Sequence, residues 1–293
     1  MSAKPREAEA RGDRSALDAG WTPVASSEPG LPQRSLALRA SGWLLVALVV
    51  ASWVFVVSEP SAHVGDLVSR ETLDHGRDFL QQLAGVGEAR PAYRDPGQWR
   101  QAAGLAYRTL AMSVLAIGFA TISTLLTVMA GARPVVDEGR HWPRTLLFGL
   151  TRAAWIFSRA VPELVWALLI VFVFSPGILA GALALGLHNF GVLGRLCAEV
   201  VENLDRRPIR AVRWAGAGRG QTLLYAVLPS ALPAFLTFVL YRWEVVIRTT
   251  IVVGFVSAAG LGREFRLALS FFHYSDVTLL VLVYVLLVFA VDA

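Results

Sequence analysis

Residues 199–229 read EVVENLDRRPIRAVRWAGAGRGQTLLYAVLP and interrupt two of the most apolar stretches of the chain. Five arginines (Arg206, Arg207, Arg210, Arg213 and Arg219) fall within fourteen residues. Short basic loops beside apolar spans stay on the cytoplasmic side of a membrane, so this loop is expected inside. Pro208 suits the first turn of a helix and Gly216 the residue just past its end, which predicts a helix over about residues 208–215. A helix this short is marginal in water alone and needs something to dock against. Ile209, Val212 and Trp214, with Ala211 and Ala215, form an apolar surface for that purpose. Either the chain's own membrane domain or a partner protein could take it.

Working outward, 55% of the 293 residues are hydrophobic and 17% charged, and the mean hydropathy is +0.53. These values describe an integral membrane protein, not a soluble domain, and its apolar spans of about twenty residues make the expected fold all-α. The formal net charge of +5 is carried by loops beside apolar runs, not by one continuous basic stripe, so membrane topology explains it and no nucleic acid is expected. With Cys197 as the single cysteine, no intrachain disulfide or cysteine-based metal cluster can form.

Residues 1–35 are polar and aperiodic and read as a disordered tail. The first apolar run begins near Leu36, too far in for a cleavable leader, and reads as a membrane anchor over 36–58. Residues 59–104 carry seven acidic residues against five arginines, a balance compatible with the outer face. Val64, Leu67, Val68, Phe79, Leu80 and Leu83 there are spaced loosely like one side of a surface-lying helix. Residues 105–293 form the core. Its spans are expected at Thr109–Ala130, Thr145–Phe174, Ile178–Cys197, from Pro229 and Pro233 onward, and at Val277–Val291. With the anchor these make about six transmembrane helices, which place both termini on the cytoplasmic side. Small residues along the second span and Gly181, Gly186, Gly191 and Gly194 along the fourth allow helices to approach closely.

Several polar residues lie within these spans. Pro162 interrupts the third, where freed backbone groups must find other partners, and reads either as a kink at a gate or as a helix start. His188 sits mid-span, either as a satisfied structural donor or as a functional group. No second histidine is near it in sequence, so no metal site is expected. Arg242, Glu244 and Arg248 are the most expensive residues of the chain, since a charge near the bilayer centre costs about 2.5–3.5 kcal/mol. Glu244 and Arg248 are four apart and can pair on one helix face, whereas Arg242 points elsewhere and needs another partner. Two readings stay open for this set, an ion-paired packing network and a role in a substrate path. A membrane-embedded enzyme using Glu244, Arg248 and His188 is the rival class, and a non-transporting regulator a third. No phosphate-binding Gly-x-x-x-x-Gly-Lys-Ser/Thr loop is present, so the chain has no evident means of hydrolysing ATP.

The organising loop resembles that of binding-protein-dependent ABC importer permeases, whose motif is Glu-Ala-Ala, three residues, Gly, nine residues, Ile, any residue, Leu-Pro. The register places Arg210, Ala211 and Val212, then Gly216, then Ala226, Leu228 and Pro229 on it. The segments AEVVENLDRRP, GAGRGQTLLYAVLPSALPAF and YRWEVVIRTTIVVGFVSAAGLG are most similar to phosphonate-type permeases, and Arg159, Pro162 and Glu163 match an Arg-x-x-Pro-Glu element. Arg210 stands where the family has an acid, and Ser257 and Ala259 replace two glycines of an outer Gly-Ala-Gly-Gly-Ile-Gly turn that retains Gly260 and Gly262. The resemblance implies a type I importer permease fold in a bacterial plasma membrane. It also implies a separate cytoplasmic ATPase dimer, which binds ATP-Mg and grips the loop through Pro208, Arg210, Ala211, Val212, Trp214, Gly216, Leu228 and Pro229. An extracytoplasmic substrate-binding protein and a second permease subunit complete the expected assembly, and phosphonate, phosphite or phosphate-like oxyanions are the implied substrates. Amino acids or other small solutes are the alternative. The altered Arg210 raises the expectation that the second permease carries a more regular loop.

Overall fold

The computed structural model describes residues 36–59, 65, 69–133, 142–257 and 259–292. The tail read as disordered, the apolar positions Val64, Leu67 and Val68, and most of the loop 132–144 lie outside them. Every regular element among the described residues is a helix. The chain divides into two units, residues 1–74 and 75–293.

The first unit holds the anchor helix α1 (Leu36–Ser58), whose large apolar side chains from Trp43 to Val57 are exposed. It also holds the start of α2 (Arg70–Leu83), where Ser69 caps the backbone by accepting from Thr72 N at 3.2 Å. In the second unit the end of α2 meets the last described helix, α11 (Tyr274–Asp292). The Phe79 ring stands edge-on to Tyr274 at 5.4 Å, and Thr278 donates to the Leu83 carbonyl at 2.7 Å.

The centre of the second unit is α3 (Pro96–Gly131) packed along α6 (Ile178–Glu202). The Asp95 carboxylate caps α3 by accepting from Gly97 N at 2.9 Å, with Pro96 in its first turn. It therefore starts thirteen residues before the expected Thr109. Its polar first turns, with Gln98, Arg100 and Gln101, obscured that start in the sequence. The small residues Ser113, Ala116 and Ala120 are fully buried, as their spacing implied. Gly186 fits against Phe119, and Gly191 against the backbone at Trp155 and Arg159.

The third expected span is broken. α4 (Trp142–Ala160) and α5 (Glu163–Val173) meet at 97° across Val161–Pro162. Pro162 stands at the N-cap of α5 with φ of −57° and ψ of 145°, so it opens a helix at the break in the span. Among the described residues, five helices are long and apolar enough to cross a membrane, and six if this bent pair counts as one.

The fifth span does not begin at Pro229. A short helix α8 (Arg219–Thr222) passes through one π turn (Leu223–Val227) into α9 (Leu228–Ser257). Proline lacks an N–H and crowds the carbonyl four residues back. In the π turn the Leu228 N–H reaches five residues back to Leu223, which accommodates Pro229, and the helix runs on with Pro233 inside it.

Nor do Gly260 and Gly262 form a bare turn. They open α10 (Gly260–Ser270), an eleven-residue helix between α9 and α11 (Tyr274–Asp292). Gly260 has φ of +61°, and a Cβ there would lie 2.4 Å from Thr109 Oγ1. The same hydroxyl accepts from Leu261 N at 2.9 Å, which fastens α10 to α3.

Candidate functional site

The organising loop folds as the helix α7 (Arg206–Trp214), two residues earlier at its start than Pro208 alone indicated. The missed signal is Asp205, whose carboxylate accepts from Arg207 N at 2.9 Å and satisfies one of the orphan donors of the first turn. The C-terminal end follows the expectation closely. Gly216 adopts φ of +90°, its N–H donates to the Arg213 carbonyl at 2.9 Å, and the Ala217 N–H reaches back to Val212 at 3.3 Å. This is the Schellman pattern, which closes the free carbonyls of a helix end. Gln221 then accepts from Gly218 N at 2.9 Å and starts α8.

The apolar surface of α7 splits in two. Ile209 is 1% exposed and packs among Val128, Trp155, Cys197, Val201 and Val227, with Val212 against the same cluster. Burying such a side chain is worth about 1.5–3 kcal/mol, which anchors a helix too short to stand alone. Arg207, Pro208, Arg210, Ala211 and Gly216 are exposed, and Trp214 is 85% exposed. Leu228 is half-buried and Pro229 exposed, one π turn past α8. The chain's own membrane domain thus takes the Ile209 and Val212 face, and the opposite stripe of arginines and Trp214 remains open.

The floor beneath α7 is built from the ends of α3 and α6 and the inner part of α4. Trp155 of α4 is wedged against Gly131 and Gly194, where any Cβ would overlap its ring. Glu202, at the end of α6, accepts from the Arg133 backbone N–H at 2.8 Å and from the Arg152 guanidinium. Arg152 also donates through Nε to the Gly131 carbonyl at 3.0 Å. Sequence reasoning singled out Gly194 but not Arg152, Trp155 or Glu202, because the partners of Glu202 are fifty or more positions away.

The break between α4 and α5 is closed by side chains. His188 bonds the Val161 carbonyl through Nδ1 at 3.0 Å; the acceptor has no proton to give, so Nδ1 carries it. Trp166 Nε1 donates to the Ser158 carbonyl at 2.9 Å, and the Ser158 hydroxyl donates to Leu187 O. Free carbonyls at this depth would otherwise go unpaired. Next to His188, fully buried Asn189 accepts from Arg242 Nε and Nη2 at 2.9 and 2.6 Å, and donates to the Leu185 carbonyl at 2.7 Å. Glu163 lies in the first turn of α5, next to the break. The structure therefore gathers Pro162, Glu163, His188 and Arg242 around the broken span, with the Arg159 backbone against Gly191.

Glu244 and Arg248 belong to a different face of α9. They pair as expected, Nη2 to Oε1 at 2.5 Å, and the same nitrogen reaches Asp292 Oδ2 of α11 at 3.0 Å. All three are partly exposed, with Thr237 and Tyr241 on the same exposed stripe. His188 bonds elsewhere, so the Glu244, Arg248 and His188 set considered for an enzyme is not assembled. At the far end of α3 from α7, a cleft of about 570 Å³ opens between α3, α10 and α11, lined by Gln101, Arg108, Glu264 and Asp276 among others.

Comparison with known proteins follows the same lines. Residues 140–293 match the family described as binding-protein-dependent transport system inner membrane component. The chain is 36% identical over 263 residues to the phosphite transport system permease protein PtxC of Stutzerimonas stutzeri, covering 89% of this chain and 92% of that one. It is 36% identical over 165 residues to the phosphate-import permease protein PhnE of Mycolicibacterium smegmatis, covering 56% of this chain and 30% of that one. An inward-facing structure of the MetNI methionine ABC transporter shares the fold, with a TM-score of 0.54 at 20% identity over 68% of this chain and 96% of that one.

Proposed function

Because this chain belongs to the binding-protein-dependent inner membrane components, the permeases of ABC importers, we propose that it passes a phosphonate, phosphite or phosphate-like oxyanion inward when a separate ATPase moves α7. It is a transport subunit and not an enzyme. The observation that carries the coupling reading is the division of α7 into a buried Ile209 face and an open Arg207, Arg210, Ala211 and Trp214 face. A capped helix anchored on one side and exposed on the other is a handle. Its exposed arginines suit an acidic cleft of a cytoplasmic ATPase dimer, which binds the ATP-Mg; this chain carries no nucleotide loop. α6 and α9 run directly from the two ends of this loop into the membrane, so a shift of α7 is delivered to both.

The oxyanion reading comes from the relatives, two of which are named for phosphite and phosphate transport. The chain adds the intramembrane arginines, whose guanidinium forks suit oxyanions. Of the two, Arg242 is held by a neutral amide, while Arg248 is already met by two carboxylates. The stripe of Thr237, Tyr241, Glu244 and Arg248 cannot face lipid, and in this reading it lines a watery path shared with a second permease subunit. The α7 loop is then cytoplasmic. The cleft at the other end of α3 faces the substrate-binding protein, and Gly260 and Gly262 shape the outer rim.

The test is capture of the cytoplasmic ATPase of the same transport system by the membrane-inserted chain. Trp214→Asp and Gly216→Asp are expected to abolish capture with insertion intact. Retention of the ATPase by both variants would remove α7 as the coupling site. Uptake of labelled phosphite against methionine by the assembled transporter tests the substrate class.

A further inference from the structure

The Arg152 and Glu202 pair has no place in the motif of the loop, yet it occupies the junction through which any movement of α7 must pass. Glu202 is the last residue of α6, three positions before the Asp205 cap of α7. Its Oε1 joins the backbone just past α3, at Arg133 N, to the Arg152 side chain of α4. Arg152 in turn holds the final carbonyl of α3, that of Gly131, and its guanidinium lies 5.0 Å above the Phe148 ring. The pair is only partly exposed, at 32% and 20%, and it borders the apolar cluster that seats Ile209. The ends of α3 and α6 and the middle of α4 are thereby tied at one carboxylate.

We propose that Glu202 and Arg152 are positioning residues for coupling: they make the inner ends of α3 and α6 and the middle of α4 move as one body with α7, so that displacement of the docking helix reaches the broken α4–α5 span. This rests on the reading of α7 as the ATPase-docking helix. Without the tie, α4 still packs on α6 through Trp155 and Gly194, but the polar link that fixes it to the end of α6 is gone. The break at Pro162, at the C-terminal end of α4, then receives less of the motion. Ile209 packing holds α7 to the floor, and the Glu202 tie holds the floor together. The two functions are separable.

The experiment uses the complete transporter, permease with its ATPase and binding protein, in proteoliposomes. It reads phosphite transported per ATP hydrolysed for the native chain, Glu202→Ala, Arg152→Ala and the double variant. Each single variant is expected to retain the ATPase and its hydrolysis while the transport ratio falls about tenfold, the scale of a coupling free energy carried by one network. The double variant is expected to be no worse than either single one, because the residues act as a unit. A lowered thermal midpoint or weaker ATPase retention with an unchanged transport ratio would overturn the assignment, leaving the pair a packing feature. Fully additive losses would also overturn it. A native complex that hydrolyses ATP without moving any oxyanion would instead refute the substrate reading. A native chain that retains no ATPase would overturn the docking reading and this assignment together.

Discussion

The Arg242 guanidinium rests two of its nitrogens, Nε and Nη2, on one oxygen, Asn189 Oδ1, at 2.9 and 2.6 Å. Arg242 lies midway along α9 and Asn189 midway along α6, the two helices that leave the ends of the α7 loop. The contact fastens them together at the level where a charge is dearest.

Asn189→Leu removes the acceptor and leaves the guanidinium unpaired, at an expected cost of about 2–3 kcal/mol, typical of a lost hydrogen bond to a charged group. Asn189→Asp keeps the shape and substitutes an ion pair. Thermal unfolding of the purified protein should show a clearly lowered midpoint for Leu and little change for Asp. Equal midpoints for the Leu variant and the native chain would mean that the contact contributes nothing.

Ile209 and Trp214 sit on opposite sides of α7, one buried and one 85% exposed. Ile209→Ala should loosen the helix by about 2–4 kcal/mol, the usual cost of truncating a buried isoleucine. Trp214→Ala should leave the helix in place. Amide exchange over residues 206–214 is therefore expected to quicken for Ile209→Ala alone, while both variants weaken ATPase capture. Faster exchange in Trp214→Ala would show that the ring packs on its own domain.

Two glycines with positive φ differ in what surrounds them. At Gly216 a Cβ meets nothing within 4 Å, whereas at Gly260 it collides with Thr109 Oγ1 at 2.4 Å. Gly216→Ala should cost only the left-handed strain, about 1–2 kcal/mol, read as local fraying at the end of α7. Gly260→Ala adds a steric clash and the loss of the Thr109 cap, and should lower the global midpoint further. The reverse ranking would contradict the placement of α10 on α3.

The Thr237, Tyr241, Glu244 and Arg248 stripe predicts water at that face in the assembled transporter, and the chain supplies its own control. Cys197 is buried at 2% exposure and should resist a polar maleimide. Thr237→Cys and Tyr241→Cys should react in the resting state. Labelling of Cys197 with neither introduced thiol labelled would contradict both the buried floor and the watery path.

Much of this was legible in local signals. Pro208 and Gly216 marked a helix end to end because a first-turn proline and a left-handed glycine report the backbone directly. Asp205 carried the same kind of information but stands inside a run of charges that reads as solvent-facing. The pairing of Glu244 with Arg248 followed from helical spacing, and that of Arg242 with something else followed from its direction. Asn189 as that partner did not, since the two residues are 53 positions apart. The tie at Glu202 and the third member of the Arg248 cluster, Asp292, were hidden for the same reason. α10 reads as part of a turn because Arg263, Glu264 and Arg266 break the apolar pattern of a span. Pro229 reads as a helix start because a π turn, which lets the helix pass through it, leaves no mark in sequence.

The central claim is that the open stripe of α7 is the surface an ATPase grips. Cysteines placed singly at Ala211, Trp214, Ile209 and Val212, each carrying a short photo-activated crosslinker, test it in the assembled complex. The account predicts crosslinks to the ATPase from positions 211 and 214, and none from 209 and 212, whose adducts should stay within the permease. Crosslinks from the buried pair, or none from the open stripe in a complex that still transports, would contradict it.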